Sequence, residues 1–336
     1  LILLGMEVLN TKEDPMLLLS RDNINQVFTM KDAIEADKVA FRLFSENKTE
    51  VPLRTQIVSE KQNGTFLFMP SYAPDLDAAA LKIINIFPDN IDKGLASAPA
   101  QVLLVDGKTG YVNALLDGVT VTQLRTGAAS GVAFDLLGRR EAKKGALIGT
   151  GGQAATQLEA MICARELESV YVFDQNLERT KAFATQMTEK LKDYHTKILP
   201  ASTSDEAISD ADLIITVTPA TKPVFDGKKV KAGATISCVG SYQPQMQEMD
   251  PVILERASKI YFDSEEAVLS ESGDILIPLN DGTITKDDFT GDIGDLLLEK
   301  ISGRENEEEI IVFKTVGIGA QDLVTAQKIY ERALEE

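Results

Sequence analysis

Histidine is almost missing. His195 is the only one in 336 residues, and it sits in the polar run Lys192-Asp193-Tyr194-His195-Thr196. That excludes a histidine-rich zinc site and leaves a Ser–His–Asp triad nothing but a solvated histidine to use. The two cysteines, Cys163 and Cys238, form no Cys-x-x-Cys pair, so metal and dithiol redox motifs are excluded as well. Each lies among apolar residues and reads as a buried free thiol, which suits a reducing, cytoplasmic setting. Basic charge is also scarce: 34 Lys and Arg stand against 52 Asp and Glu, a net charge of −18. Neither a nucleic-acid backbone nor an anionic membrane surface is a natural partner for such a chain. No apolar run reaches the ~18 residues of a membrane span. Leu1-Ile2-Leu3-Leu4 is too short for a signal h-region and has no basic residue before it. Amphipathic material starts near Met16, so residues 1–15 read as an extension or a cloning remnant.

The rest of the chain is rich in periodic segments. Thr29-Met30-Lys31-Asp32 has capping-box form, and Ala36, Val39, Ala40 and Leu43 follow at helical spacing, which predicts a helix over 29–47. Short strands are expected at 53–58, 65–69 and 80–87, and a hairpin at 101–116 around Gly107-Lys108-Thr109-Gly110. The first 125 residues or so are thus antiparallel strands with helices, and their apolar strands could supply a dimer interface. A helix is expected at 126–137, with Arg125 at its start. From Gly145 on, strands (146–148, 170–173, 213–217, 235–239, 259–262) alternate with helices (154–165, 177–191, 251–257), the mark of a doubly wound parallel sheet. A helix at 292–301, a strand at 310–313 and an amphipathic helix at 320–334 complete the pattern, with 305–309 a solvated acidic loop.

Gly149-Thr150-Gly151-Gly152-Gln153-Ala154 follows the first of these parallel strands and opens a helix. This is G-x-G-x-x-A. The first glycine permits a tight turn, the second lets backbone approach a pyrophosphate, and the small Ala154 lets helix pack on strand. The helix N-terminus then faces the phosphates. Asp174 ends the next strand, 25 residues after Gly149, where an acid binds the ribose hydroxyls. A carboxylate there repels a 2′-phosphate, so NAD(H) is favoured over NADP(H). NADP(H) stays open, because Arg179 is five residues on and could receive that phosphate.

Three cations stand in apolar stretches of this acidic chain: Arg54 after Val51-Pro52-Leu53, Lys82 within Ala80-Leu81-Lys82-Ile83-Ile84, and Arg125. Buried cations are costly unless paired. Few acids lie in the same stretches, so a carboxylate substrate held by arginine forks accounts for them better than three structural ion pairs.

Arg54, Lys82, the run Arg125-Thr126-Gly127-Ala128-Ala129-Ser130, the glycine loop, Val239-Gly240, and Phe313-Lys314-Thr315-Val316-Gly317 before a last helix occur here in one order. In that combination the chain resembles the ornithine cyclodeaminase/mu-crystallin family, from about Met16 to its end. The resemblance implies a Rossmann-type doubly wound parallel sheet plus an α+β substrate-binding and dimerisation domain. The domains would be 1–127 completed by 317–336, and 128–316. It implies a homodimer, with Arg54 and Arg125 on the substrate carboxylate and Lys82 on the same group or assisting proton transfer. Cofactor contacts would come from Thr126, Gly149, Thr150, Gly151, Gly152, Gln153, Ala154, Asp174, Thr216, Val217, Thr218, Val239 and Gly240. The cyclodeaminases of the family carry an acid shortly after the Val-Gly pair; here Tyr242 takes that position, and Glu248 and Asp250 lie beyond Pro244, past the expected strand end.

The expected activity is therefore NAD(P)H-dependent reduction of a small cyclic ketimine or 2-imino acid, with Lys82 and Tyr242 as catalytic residues and no metal. Two rivals remain: an ornithine cyclodeaminase using NAD catalytically, and a non-enzymatic binder of NAD(P)H and a small ligand.

Overall fold

A computed structural model describes residues 7–11 and 14–335. The chain forms two compact units. One holds the residues up to Arg125 together with those from Ile318 on; the other is Thr126–Gly317.

The first unit begins with strands β1 (Glu7–Thr11) and β2 (Asp14–Leu19) and helices α1 (Arg21–Val27) and α2 (Met30–Ser45). Of the stretch read as an extension, residues 1–6, 12 and 13 lie outside the described residues, but β1 pairs antiparallel with β2 along its length. The capping box at α2 is formed: Thr29 Oγ1 accepts from the Asp32 amide at 3.2 Å, and Asp32 accepts from the Thr29 amide at 2.9 Å. Strands β3 (Thr55–Ser59), β4 (Gly64–Ala73), β5 (Ala78–Ile86), β6 (Ala100–Asp106) and β7 (Val112–Asp117) follow. They build a seven-stranded sheet in the order β1-β2-β7-β6-β5-β4-β3, antiparallel except for β2 beside β7.

Helix α3 runs over Gly118–Leu137. It begins eight residues before the expected start, so Arg125 lies inside it. Val119, Thr120, Val121 and Thr122 are β-branched and argue locally for a strand. Tertiary packing overrides them: Val121 and Leu124 are buried, and Asp117 accepts from the Thr120 amide at 2.7 Å to start the helix.

The second unit alternates β8 (Lys144–Ile148), α4 (Ala154–Ala164), β9 (Ser169–Phe173), α5 (Leu177–Lys190), β10 (Lys197–Pro200), α6 (Ser204–Ile208), β11 (Leu213–Thr216), β12 (Thr235–Cys238), α7 (Pro251–Arg256) and β13 (Lys259–Phe262). Helices α8 (Glu265–Glu271) and α9 (Gly273–Asn280), strand β14 (Gly291–Asp292), helix α10 (Ile293–Leu297) and strand β15 (Ile311–Lys314) complete it. All eight strands are parallel, in the order β10-β9-β8-β11-β12-β15-β13-β14. Alternate residues of β8, β9 and β11 enter opposite cores. Ala146 and Ile148 join Ile214, Ile236 and Val312 on one face; Leu147 joins Val172, Leu213, Ile215 and Leu158 on the other. A sheet buried on both faces must read as continuous apolar runs, and this one does. The strand order reverses between β8 and β11, which opens a crevice at the carboxyl ends of the strands.

From Gly319 the chain rejoins the first unit as α11 (Gly319–Glu335), packed on α2, β4 and β5. Three smaller expectations need correction. The helix foreseen at 292–301 is only α10, because Glu299 takes a left-handed φ of 57° that helix cannot continue. The acidic loop is not simply solvated: Glu309 is buried and accepts from the Glu305 amide at 2.7 Å, while Glu305 pairs with Lys259 at 2.5 Å. Cys238 is buried, but Cys163 is only half-buried and lies 3.0 Å from the Tyr194 hydroxyl. His195 is exposed. Among the described residues no helix is long and apolar enough to cross a membrane.

Candidate active site

The second unit carries a dinucleotide-type loop and strand ends. Gly149 leaves β8 with φ +107°, and a Cβ there would meet the Val217 carbonyl oxygen at 2.6 Å, so only glycine makes this turn. At Gly151 and Gly152 a Cβ would meet nothing within 4 Å. The loop is thus open on its outer side and leads into α4 at Ala154, whose own side chain is fully buried. The register pairs Ile148 with Phe173 and with Thr216, and Thr216 with Cys238. The carboxyl ends of β8, β9, β11 and β12 therefore bring together the glycine loop with Thr150 and Gln153, Asp174, Thr216-Val217-Thr218 and Val239-Gly240. Thr126, in α3, has its carbonyl held by Gln157 Nε2 at 2.8 Å. The residues present fit a dinucleotide.

Asp174 is nearly buried and already partnered. Its Oδ2 accepts from the Thr150 amide at 3.1 Å and the Thr150 hydroxyl at 2.9 Å, and Arg179 Nη2 lies 2.7 and 2.6 Å from its two oxygens. Burial pushes its pKa up, but hydrogen bonds from the Asn176 amide, Arg179 and Thr150 outweigh this and hold it below the usual carboxylate range. Arg179 is 57% exposed, so it can turn away from the acid. Asp174→Ser removes the repulsion toward a 2′-phosphate and releases Arg179 to bind one. Titration should show the preference for NADH over NADPH narrowing; an unchanged ratio of the two dissociation constants would remove Asp174 from cofactor choice.

The first unit carries a buried cationic cluster. In β5, Ala78, Ala80 and Lys82 alternate to the buried face, and Lys82 is 1% exposed between cross-strand neighbours Met69 and Val102. Lys82 Nζ donates to Asp322 of α11 at 2.5 Å. Arg125 Nε donates to the other oxygen of Asp322 at 3.1 Å. Gln321 fixes this end of α11: its Nε2 donates to buried Asp37 at 2.7 Å and to the Arg125 carbonyl at 3.2 Å. The two terminal nitrogens of Arg125 make no hydrogen bond to a described residue, which leaves a planar fork for a ligand. Burial, with repulsion from Arg125, lowers Lys82 to about 7 despite the Asp322 carboxylate; Arg54 pushes in the same direction.

Lys82 and Arg125 are therefore partly structural, although few acids lie in their own stretches of sequence. Asp322 serves Lys82 from 240 residues away. Arg54 also differs from expectation. It is half-buried in the segment before β3, beside a Leu53 that is 70% exposed, and not in an apolar interior. Tyr242 lies beyond β12 with 40% of its surface exposed, and partial burial raises its pKa, so its hydroxyl stays protonated at neutral pH. Glu248 has not left the strand end: it is fully buried, and its two oxygens accept from the Thr218 and Gly240 amides at 2.5 Å each. Asp250 caps α7.

Residues 14–336 match the model of the ornithine cyclodeaminase/mu-crystallin family. The chain belongs to that family. Within it, the chain is 36% identical over 320 residues to a Delta(1)-pyrroline-2-carboxylate reductase of Bacillus cereus, covering 95% of this chain and 97% of the relative. The structure of Thermococcus litoralis Delta(1)-pyrroline-2-carboxylate reductase in complex with NADH and L-proline superposes with a TM-score of 0.90 and 41% identity, covering 95% of this chain and 98% of that one. An archaeal alanine dehydrogenase dimer with bound NAD gives 0.86 and 32%, covering 95% of this chain and 96% of that one. This family member thus shares its fold across nearly its whole length with nicotinamide-binding relatives.

Proposed function

We propose that this protein reduces a small cyclic 2-imino acid of the pyrroline- or piperideine-2-carboxylate type to the L-amino acid, with NADH favoured as reductant. The observation that carries the reading is the Lys82–Asp322–Arg125 cluster: two buried cations share one carboxylate, and the terminal nitrogens of Arg125 hydrogen-bond to no described residue. A carboxylate ligand completes it. The relatives above, one of them complexed with NADH and L-proline, agree with that choice.

Reduction adds a hydride to the α-carbon and a proton to the nitrogen. NADH, when bound at the glycine loop and the ends of β8, β9, β11 and β12, supplies the hydride. Arg125 and Arg54 take the carboxylate and so orient the α-carbon. Lys82, with a pKa near neutrality, is suited to deliver the proton. The Tyr242 hydroxyl, protonated and accessible, donates a hydrogen bond to the nitrogen; Tyr242→Phe with unchanged turnover would deny it that role. Glu248 has no exposed surface and holds two backbone amides, so it is placed to brace the loops and not to meet a substrate as the cyclodeaminase acid would.

The protein works as a homodimer. Edge strand β3 exposes Ile57 and Val58 at 54% and 60%, and the Ile57 partner Phe66 is exposed as well. The dimeric alanine dehydrogenase supports this. Light scattering that returned a 36.6 kDa particle would contradict it. The activity itself is tested by mixing protein, NADH and pyrroline-2-carboxylate. Loss of 340 nm absorbance with matching formation of proline is expected; no loss across a panel of cyclic 2-imino acids would favour a non-enzymatic binder.

A further inference from the structure

Glu248 is an ionisable side chain with no exposure, and the reaction above does not use it. Its surroundings are unusual. Oε1 accepts from the Thr218 amide and Oε2 from the Gly240 amide, each at 2.5 Å. Thr218 follows β11 and Gly240 follows β12, so one carboxylate spans the ends of two neighbouring strands. The backbones are pressed together there: a Cβ on Gly240 would lie 2.1 Å from the Thr218 carbonyl oxygen and 2.6 Å from Glu248 Cδ. The two following loops are stitched further. The Gln247 amide donates to the Ala220 carbonyl at 2.9 Å, and the Val224 amide donates to the Glu248 carbonyl at 2.8 Å.

Glu248 is itself held from behind. Asp274 of α9 accepts from the Glu248 and Met249 amides at 2.7 and 2.9 Å. Lys314, fully buried at the end of β15, lies 3.5 Å from Asp274 and donates to the Cys238 carbonyl at 3.1 Å. Three buried ionisable groups thus converge on one loop junction. Burying charge without need is unfavourable, and a hydrophobic replacement of similar volume is often as stable. Their arrangement serves geometry: only a carboxylate offers two acceptor atoms to two converging N–H groups.

In a doubly wound sheet each half takes one mononucleotide. The half built on β8, β9 and β10 carries the glycine loop and Asp174, which belong to the adenosine side. β11 and β12 belong to the other half. We infer that Glu248 is a positioning residue that ties the ends of β11 and β12 into the surface receiving the nicotinamide end of the cofactor. This rests on the oxidoreductase reading above.

The test uses two ligands on the full-length protein. NADH carries the nicotinamide; ADP-ribose lacks it. In Glu248→Gln one oxygen becomes an NH2 group that faces an N–H donor, so one strand end is released. The NADH dissociation constant, read by fluorescence, should rise about tenfold or more, while that of ADP-ribose, read by calorimetry, should stay within about twofold. Equal weakening of both ligands would make Glu248 a general structural residue, and no weakening of either would make it dispensable; both results overturn the inference. Should Glu248→Gln not fold, Glu248→Asp keeps two oxygens on a shorter arm and should show the same one-sided loss. A parent protein that bound ADP-ribose but not NADH would overturn the inference and the oxidoreductase reading together. A parent that bound both, with a variant that also bound both normally, would overturn the inference alone.

Discussion

Replacing Lys82 by Met should lower kcat for imine reduction by about 10²–10⁴-fold, the range that a positioned general acid supplies. NADH affinity should change little, because Lys82 belongs to the first unit and the glycine loop to the second. The parent enzyme should also show a pH limb that the variant lacks. Lys82 is lowered to about 7, chiefly by burial and then by Arg125, with Asp322 opposing. Its protonated form, the proton donor, is therefore present below about pH 7 and falls tenfold per unit above it. Reductive kcat should follow that fall in the parent and be flat across the same range in Lys82→Met. A variant with kcat within twofold of the parent and an unaltered limb would reduce Lys82 to a structural cation.

Asp322→Asn should be the most destabilising single change in the first unit. The Asp322 side chain is 2% exposed and meets Lys82 at 2.5 Å and Arg125 at 3.1 Å. Removing one partner from a buried pair costs about 3–5 kcal/mol, because the remaining charge stays desolvated. Asparagine keeps the size and removes the charge, so the loss is electrostatic. Lys82 can escape part of it by shedding its proton, since without Asp322 its folded pKa drops further below 7. Between that lower value and about 7 the folded parent holds a proton that the folded variant has lost, while both unfolded chains keep theirs. The stability deficit therefore narrows as pH rises to about 7 and is constant above. Denaturant unfolding at pH 6 and pH 8 should show the larger deficit at pH 6. Equal stability of variant and parent at both pH values would mean that the cluster is not electrostatically coupled.

The parallel sheet and its cofactor loop are legible because their signals are local. β8, the glycine loop and α4 lie within 21 residues, and an acid at a strand end follows from spacing alone. The cationic cluster is legible only in part. Lys82 stands out as a charge inside an apolar strand, but its partner Asp322 comes from the far end of the chain, and no local pattern pairs residues 82 and 322. A weaker signal does exist: Asp322, Ala326 and Ile329 share one face of α11, so an acid sits in line with buried apolar residues. Glu248 is hidden for a different reason. Pro244 suggests that the chain turns away from the sheet, whereas the segment after it folds back to pair with the loop after β11. Arg125 shows the limit of propensity, since buried Val121 and Leu124 and the Asp117 cap extend α3 through a β-branched stretch that reads otherwise.

The most direct test sets the two chemistries against each other in one preparation. Pyrroline-2-carboxylate with NADH and L-ornithine with catalytic NAD are supplied separately, and NADH consumption and ammonia release are followed. The account predicts rapid, stoichiometric NADH loss with the imine, and ammonia release from ornithine that is slower or absent. Ammonia release from ornithine faster than imine reduction would contradict it.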